Sequence, residues 1–230
     1  MIASLPMYDP PHLRAVNDAF WSAIRAELPF ESPAELCRES DLWPVWESPG
    51  LVLSQTCGLP FRAHLHSKVH LILTPDYGLP ECPPGYYNST IITRIGMGDL
   101  TGARLAYNDT LSQSGWAAAQ GHGFAPHLDT GAHAASLSAV ASGAADVAVV
   151  DSHTLRILGL PGGLETRGLT EPTPGLPFIT ARADWVAPLR AAIPAAFEKL
   201  PEDMRAALGI KGFVRIDAAT YQAVPMPPAP

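Results

Sequence analysis

Positive charge is scarce in this chain. Its 230 residues carry 15 lysines and arginines against 22 aspartates and glutamates, a formal net charge of -7 at pH 7. No basic patch of the kind that neutralises a phosphate backbone occurs, which argues against nucleic acid as a partner. Long hydrophobic runs are missing too. No stretch of about 18 apolar residues exists, so no membrane insertion is expected. The opening MIASLPMYD has neither the basic n-region nor the apolar h-region of a signal peptide. As written, the chain is expected in the cytoplasm, and in the periplasm if a signal has been removed.

Cysteine is sparse. Cys37, Cys57 and Cys82 form no C-x-x-C pair, which argues against a zinc knuckle. Their odd number predicts free thiols, with Cys57 and Cys82 unbridged. His64, His66 and His70 are spaced for no single helix face, so no metal is expected there. GMGDLTG is not G-x-G-x-x-G, and no G-x-x-x-x-G-K-[ST] occurs, so dinucleotide and P-loop fingerprints are both missing. No nucleophile, base and orienter can be assembled. No catalytic residue and no cofactor is therefore expected.

What is present suits a globular protein. The chain is 47% hydrophobic and 16% charged, enough to bury a core in one large domain or two small lobes. Strands and helices alternate almost throughout. Strands are expected at IASLPMY, LVLSQ (51–55), VHLILTP (69–75), YYNSTIITR (86–94), RLAY and VAVV. Helices are expected over PPHLRAVNDAFWSAIRAEL, over the stretch after Ser114, in GAHAASLSAVAS, in SHTLRILGL and in DWVAPLRAAIPAAFEKL. In the last of these Asp184 reads as the cap and Pro194 as a kink or split. The pattern predicts an α/β fold with mainly parallel sheets. In such folds ligands collect at the carboxyl ends of strands, beside helix N-termini.

One stretch bears on chemistry directly. In NDTLSQSGWAAAQG (108–121), Ser114 sits where a helix cap belongs and Gly115 clears side-chain bulk from the first turn. A helix start has unpaired N–H groups and a partial positive charge. Serine hydroxyls beside it complete a site for an anion. On local sequence alone, Ser114 capping its own helix and Ser112 making a turn is the favoured explanation of the stretch.

Taken together, the motifs resemble the substrate-binding proteins of phosphate- and phosphonate-type ABC importers. DLTGAR matches that family's D-L-x-G-x-R, SQSG its S-x-S-G anion loop, YNS its Y-x-S hinge strand, and GAHAASLSAVASGAADVA its G-x-H helix followed by G-x-x-D and a strand. The order and spacing of the motifs carry the resemblance, which runs over most of the chain. It implies a two-lobed type-2 periplasmic-binding-protein fold, with a ligand cleft between the lobes and two hinge strands near 87–94 and 176–182. The first lobe would be 1–86 plus 179–230, and the second 87–178.

The resemblance also implies a solute-binding protein that closes on a small oxyanion-bearing molecule for import. The acidic head would sit on Ser112, Ser114 and Gly115, with His133 donating to it and Tyr87 touching ligand from the hinge. From the first lobe, Tyr8, Gln55, Thr56 and Tyr77 lie at or just beyond strand carboxyl ends, where α/β sheets place ligand contacts. Asp151 could hold an ammonium group, but His153 stands near where a carboxylate is expected, so an aminophosphonate is doubtful. The expected partners are a small-molecule anion and an ABC importer membrane subunit, with the protein itself monomeric. Two alternatives stay open. One is a cytoplasmic enzyme on the same fold acting on a small carboxylate, in the manner of chorismate dehydratase. The other is a cytoplasmic ligand sensor.

Overall fold

The computed structural model describes residues 1–39 and 41–230. The chain forms two compact units, Met1–Gly78 with Pro174–Ala223, and Leu79–Thr173 with Val224–Pro230.

The first unit is built on a four-stranded sheet in the order Ile2–Ala3, Leu51–Gln55, Phe178–Thr180 and His70–Leu71. The Leu51–Gln55 strand is buried along its whole length. It pairs in parallel with Ile2–Ala3 and antiparallel with Phe178–Thr180. The expected strand over 69–75 is broken in two, His70–Leu71 and Thr74–Asp76, and the latter pairs with Gly212–Val214. Helix Arg14–Glu27 buries Phe20, Trp21 and Ile24. It packs on helix Ala183–Lys199, with the Phe20 and Phe197 rings edge to face at 6.1 Å.

Helix Ala183–Lys199 runs through both Pro188 and Pro194 without a break, and its N-cap is Arg182 rather than Asp184. A proline inside a helix costs about 3 kcal/mol. Burial of Leu189, Ala192, Ile193, Ala196 and Phe197 on one face offsets that cost, at roughly 1.5–3 kcal/mol for each large apolar side chain.

The second unit holds a five-stranded sheet in the order Leu164–Leu169, Ser89–Arg94, Val147–Asp151, Arg104–Tyr107 and Ala125–Asp129. The first two pairings are antiparallel and the last two parallel. The sheets are therefore mixed, not mainly parallel. Strand–helix alternation along the chain does not record direction, and Ser89–Arg94 runs against Val147–Asp151.

Period-2 alternation feeds two cores from the same strands. Ile92, Ala106, Ala148 and Val150 face one side, together with Leu137 and Val140 of helix His133–Ser142. Ile91, Leu105, Tyr107, Val147 and Val149 face the other, with Trp116 and Ala119. Both faces are covered, which is why VAVV reads as a continuous apolar run. Two edge strands escaped the reading, Ala125–Asp129 and Leu164–Leu169. Their residues are mostly exposed and carry no apolar alternation. The three cysteines form no disulfide, in line with the unbridged Cys57 and Cys82 expected.

Candidate functional site

Three neighbouring parallel strands of the second unit end together: Val147–Asp151, Arg104–Tyr107 and Ala125–Asp129. The loop 108–116 follows the middle strand. Thr130, Gly131 and Ala132 follow the edge strand and lead into helix His133–Ser142. The Thr130 N–H donates to the Tyr107 carbonyl at 2.9 Å, which ties the two strand ends together.

The helix expected after Ser114 is not formed. Only a 3-10 turn, Ala117–Ala119, follows. The cause is local. Ser112 takes the Gly115 N–H on its Oγ at 2.9 Å, and the Ala117 and Ala118 N–H groups reach back five residues, to the Ser112 and Gln113 carbonyls at 3.0 and 2.8 Å. A serine side chain that competes for backbone N–H groups diverts the chain from helix into a tight loop. The Gly115 N–H is thus already paired and is not the open donor expected of it. The helix start at this site belongs instead to His133–Ser142. No side chain caps that start, and no acidic residue lies in its first turn, so its first N–H groups have no intrahelical acceptor.

The loop and the helix meet at two side chains. Ser114 Oγ lies 2.9 Å from His133 Nε2 and 3.4 Å from Ser112 Oγ. His133 Nδ1 is enclosed with no hydrogen-bond partner, although the residue as a whole is half-buried. Burial pushes the imidazole pKa down to about 4, so the ring is neutral at physiological pH. An orphaned ring N–H is costlier than an orphaned lone pair. The bond pattern therefore favours the tautomer in which Nε2–H donates to Ser114 and Nδ1 is bare. Each serine oxygen then accepts one N–H, Ser112 from Gly115 and Ser114 from His133. One hydroxyl donates across the long 3.4 Å bond between the serines, the other hydroxyl proton is left to donate elsewhere, and the site presents a donor.

The structure thus brings together Ser112, Ser114, Gly115 and His133. Gly115 is needed for room, because a β-carbon there would fall on the Asn108 side-chain oxygen. Asn108, at the carboxyl end of Arg104–Tyr107, was missed as a site residue. Its place directly after a strand was the available signal. Asp151 is 3% exposed, and its Oδ1 accepts the Thr154 N–H at 2.7 Å, capping helix Ser152–Leu158. Tyr87 is buried within the same unit at 2% exposure. Burial, and next Asp129, push the Tyr107 phenol up from its ordinary value.

In the first unit, Tyr8, Gln55 and Tyr77 form one cluster. The Gln55 amide donates to Tyr77 Oη at 3.3 Å and to the Leu176 carbonyl at 3.0 Å, and the Tyr8 and Tyr77 rings meet edge to face at 5.1 Å. Thr56 is wholly buried, its Oγ1 donating to the Cys57 carbonyl at 3.4 Å. Among the described residues no group of three His, Cys, Asp or Glu is placed to hold a metal ion.

The model of the ABC transporter phosphonate periplasmic substrate-binding protein family matches residues 61–221. The chain belongs to this family. No curated protein matches it.

Solved structures agree on the fold of this substrate-binding protein. PhnD1 from Prochlorococcus marinus, in complex with methylphosphonate, is 14% identical with a TM-score of 0.73, over 96% of this chain and 94% of that one. A Xanthomonas citri protein bound to chloride is 12% identical with a TM-score of 0.72, over 97% and 94%. A binding protein component of an ABC phosphonate transporter from Pseudomonas aeruginosa is 14% identical with a TM-score of 0.69, over 96% and 82%. Among the described residues no helix of the substrate-binding protein is long and apolar enough to cross a membrane.

Two of the motifs prove structural. Arg104 of DLTGAR binds Asp146 of GAAD through Nε at 2.8 Å and Nη2 at 3.0 Å. Arg94 adds a bond to the same carboxylate at 3.1 Å. The Arg104 hydrogen bond, foremost, holds the Asp146 carboxyl well below the usual carboxylate range.

Proposed function

We propose that this chain is the solute receptor of an ABC importer and binds a small oxyanion of the phosphonate or phosphate class. The head group would take the Ser112 and Ser114 hydroxyls and the first N–H groups of helix His133–Ser142. The observation that carries the reading is the polarity of the two serines. Each accepts one N–H from the protein, so the hydroxyl proton not held in the long bond between them is kept for a ligand, beside an uncapped helix start where anions gain from the dipole. The methylphosphonate complex of PhnD1 supports that ligand class.

Tyr8, Gln55, Thr56 and Tyr77 are read as ligand contacts of the first unit, and Tyr87 as an aromatic contact of the second to the organic part of a ligand. Asp151 is read as a helix cap rather than an ammonium ligand, which favours phosphonates without an amine. The receptor is read as a monomer that hands its ligand to the membrane subunits, on the periplasmic side that the family occupies.

The test is calorimetric and thermal-shift titration of methylphosphonate, phosphate, sulfate and acetate on wild type and on the Ser112→Ala/Ser114→Ala double variant. A hydrogen bond to a charged group contributes about 1.5–3 kcal/mol. The double variant should therefore bind the preferred anion at least about tenfold more weakly, with its fold retained. A variant that binds as tightly as wild type sinks the reading.

A further inference from the structure

We propose that the proline-rich C-terminal segment is an intramolecular strap that docks on Trp116 and holds the Ser112–Gly115 loop in its donating geometry. This rests on the reading of that loop as the anion site. The segment is VPMPPAP, with prolines at 225, 227, 228 and 230. It belongs to the second unit, whereas the residues before it, Pro174–Ala223, belong to the first. Such a sequence favours polyproline II, in which no carbonyl is used internally and every one is free to accept.

The Trp116 indole Nε1–H donates to the Pro228 carbonyl at 2.8 Å. Trp116 is 2% exposed, and its ring lies against that of Tyr107 at 5.1 Å, tilted by 52°. Aromatic surfaces are the general means by which proteins hold polyproline II chains, because the stiff chain loses little entropy on docking. Here the chain that is held is the protein's own.

Trp116 in turn governs the loop. Its backbone N–H and that of Ala117 both donate to the Ser112 carbonyl, at 3.2 and 3.0 Å. The Ser112 side chain meanwhile accepts from Gly115. Fixing the indole therefore fixes the turn that presents both serine hydroxyls. Trp116 is a positioning residue in this scheme. The anion gains from it only through Ser112 and Ser114.

The experiment uses full-length protein in three forms besides wild type. Trp116→Phe keeps a ring and removes the N–H. A four-site variant, Pro225→Gly, Pro227→Gly, Pro228→Gly and Pro230→Gly, keeps the length and every carbonyl but loosens the segment. Pro228→Ala keeps both the carbonyl and most of the stiffness. Two readouts are taken: the Trp116 indole resonance with hydrogen exchange of the amides of residues 115–117, and the affinity for methylphosphonate and for phosphate.

The four-glycine variant should move the indole resonance, speed amide exchange in the loop and weaken anion binding by about three- to tenfold. Trp116→Phe should speed exchange and weaken binding likewise, and Pro228→Ala should change neither. An unchanged indole signal in the glycine variant overturns docking. A shifted indole with unchanged loop exchange overturns the positioning role. If wild type binds neither anion, the anion reading fails, and the indole and exchange data still decide the strap.

Discussion

His133 Nε2 lies 2.9 Å from Ser114 Oγ, while His133 Nδ1 is enclosed with no partner. This geometry predicts that the histidine acts through the serine, orienting its hydroxyl as a donor. The two residues then form one unit, and their effects on affinity will not add. Ser114→Ala and His133→Ala should each weaken anion binding by about tenfold. The double variant should be no weaker than Ser114→Ala alone. His133→Gln, whose amide N–H can stand in for Nε2–H, should restore part of the loss. Additive losses in titration calorimetry would mean that His133 holds the anion directly.

The same histidine predicts an acid dependence of stability. Burial holds its pKa at about 4 against an ordinary 6.5. Between those values the unfolded chain binds a proton that the folded chain does not. Stability is therefore fully present above pH 6.5 and declines as pH falls towards 4. The loss is on the order of 2–3 kcal/mol, from about 1.4 kcal/mol per pKa unit with some screening. Asp146, held well below the usual carboxylate range by Arg104, loses its contribution only at lower pH, as pH falls through its folded value. Melting temperatures from pH 7.5 to 4 should fall for wild type and stay flatter for His133→Gln.

Much of the fold was legible because its strands are buried on both faces. Val147–Asp151 and Leu51–Gln55 announce themselves as apolar runs, and helix His133–Ser142 ends at Gly143, whose φ of 82° suits glycine. Exposed edge strands such as Ala125–Asp129 carry no such pattern. At the site, the residue types were legible and the backbone was not. Ser112, Ser114, Gly115 and His133 do come together, yet the helix start lies at His133 and not at Ser114. The reason is a side-chain competition, Ser112 Oγ taking the Gly115 N–H, which no periodicity reveals. Asp151 shows the converse. A carboxylate directly after a strand suggests a ligand contact, and the helix beginning at Ser152 claims it as a cap.

That capping role gives a prediction for Asp151. Asp151→Ala removes the acceptor of the Thr154 N–H and should cost about 0.5–2 kcal/mol of stability, the range for lost helix caps. The affinity for methylphosphonate should stay within about twofold, since a group that holds no ligand contributes no binding free energy. Chemical denaturation and calorimetry on the same variant check both. A large affinity loss confined to amine-bearing phosphonates would return Asp151 to the ligand.

Gly115 supplies the most demanding steric test. A β-carbon at this position would stand 1.9 Å from Asn108 Oδ1 and 3.3 Å from the Asn108 backbone nitrogen. Gly115→Ala must therefore expel the Asn108 side chain or shift the loop, and the bond from Gly115 N–H to Ser112 Oγ moves with it. Anion affinity should fall by about tenfold or more, equivalent to one charge-assisted hydrogen bond. Truncating the obstacle offers the control. In the Asn108→Ala background only the backbone nitrogen remains close, and a shift of a few tenths of an ångström relieves it. Gly115→Ala should then cost distinctly less than in wild type. Equal costs in both backgrounds would show that the loop does not depend on this contact, and that the glycine is there for a reason other than the room it leaves to Asn108.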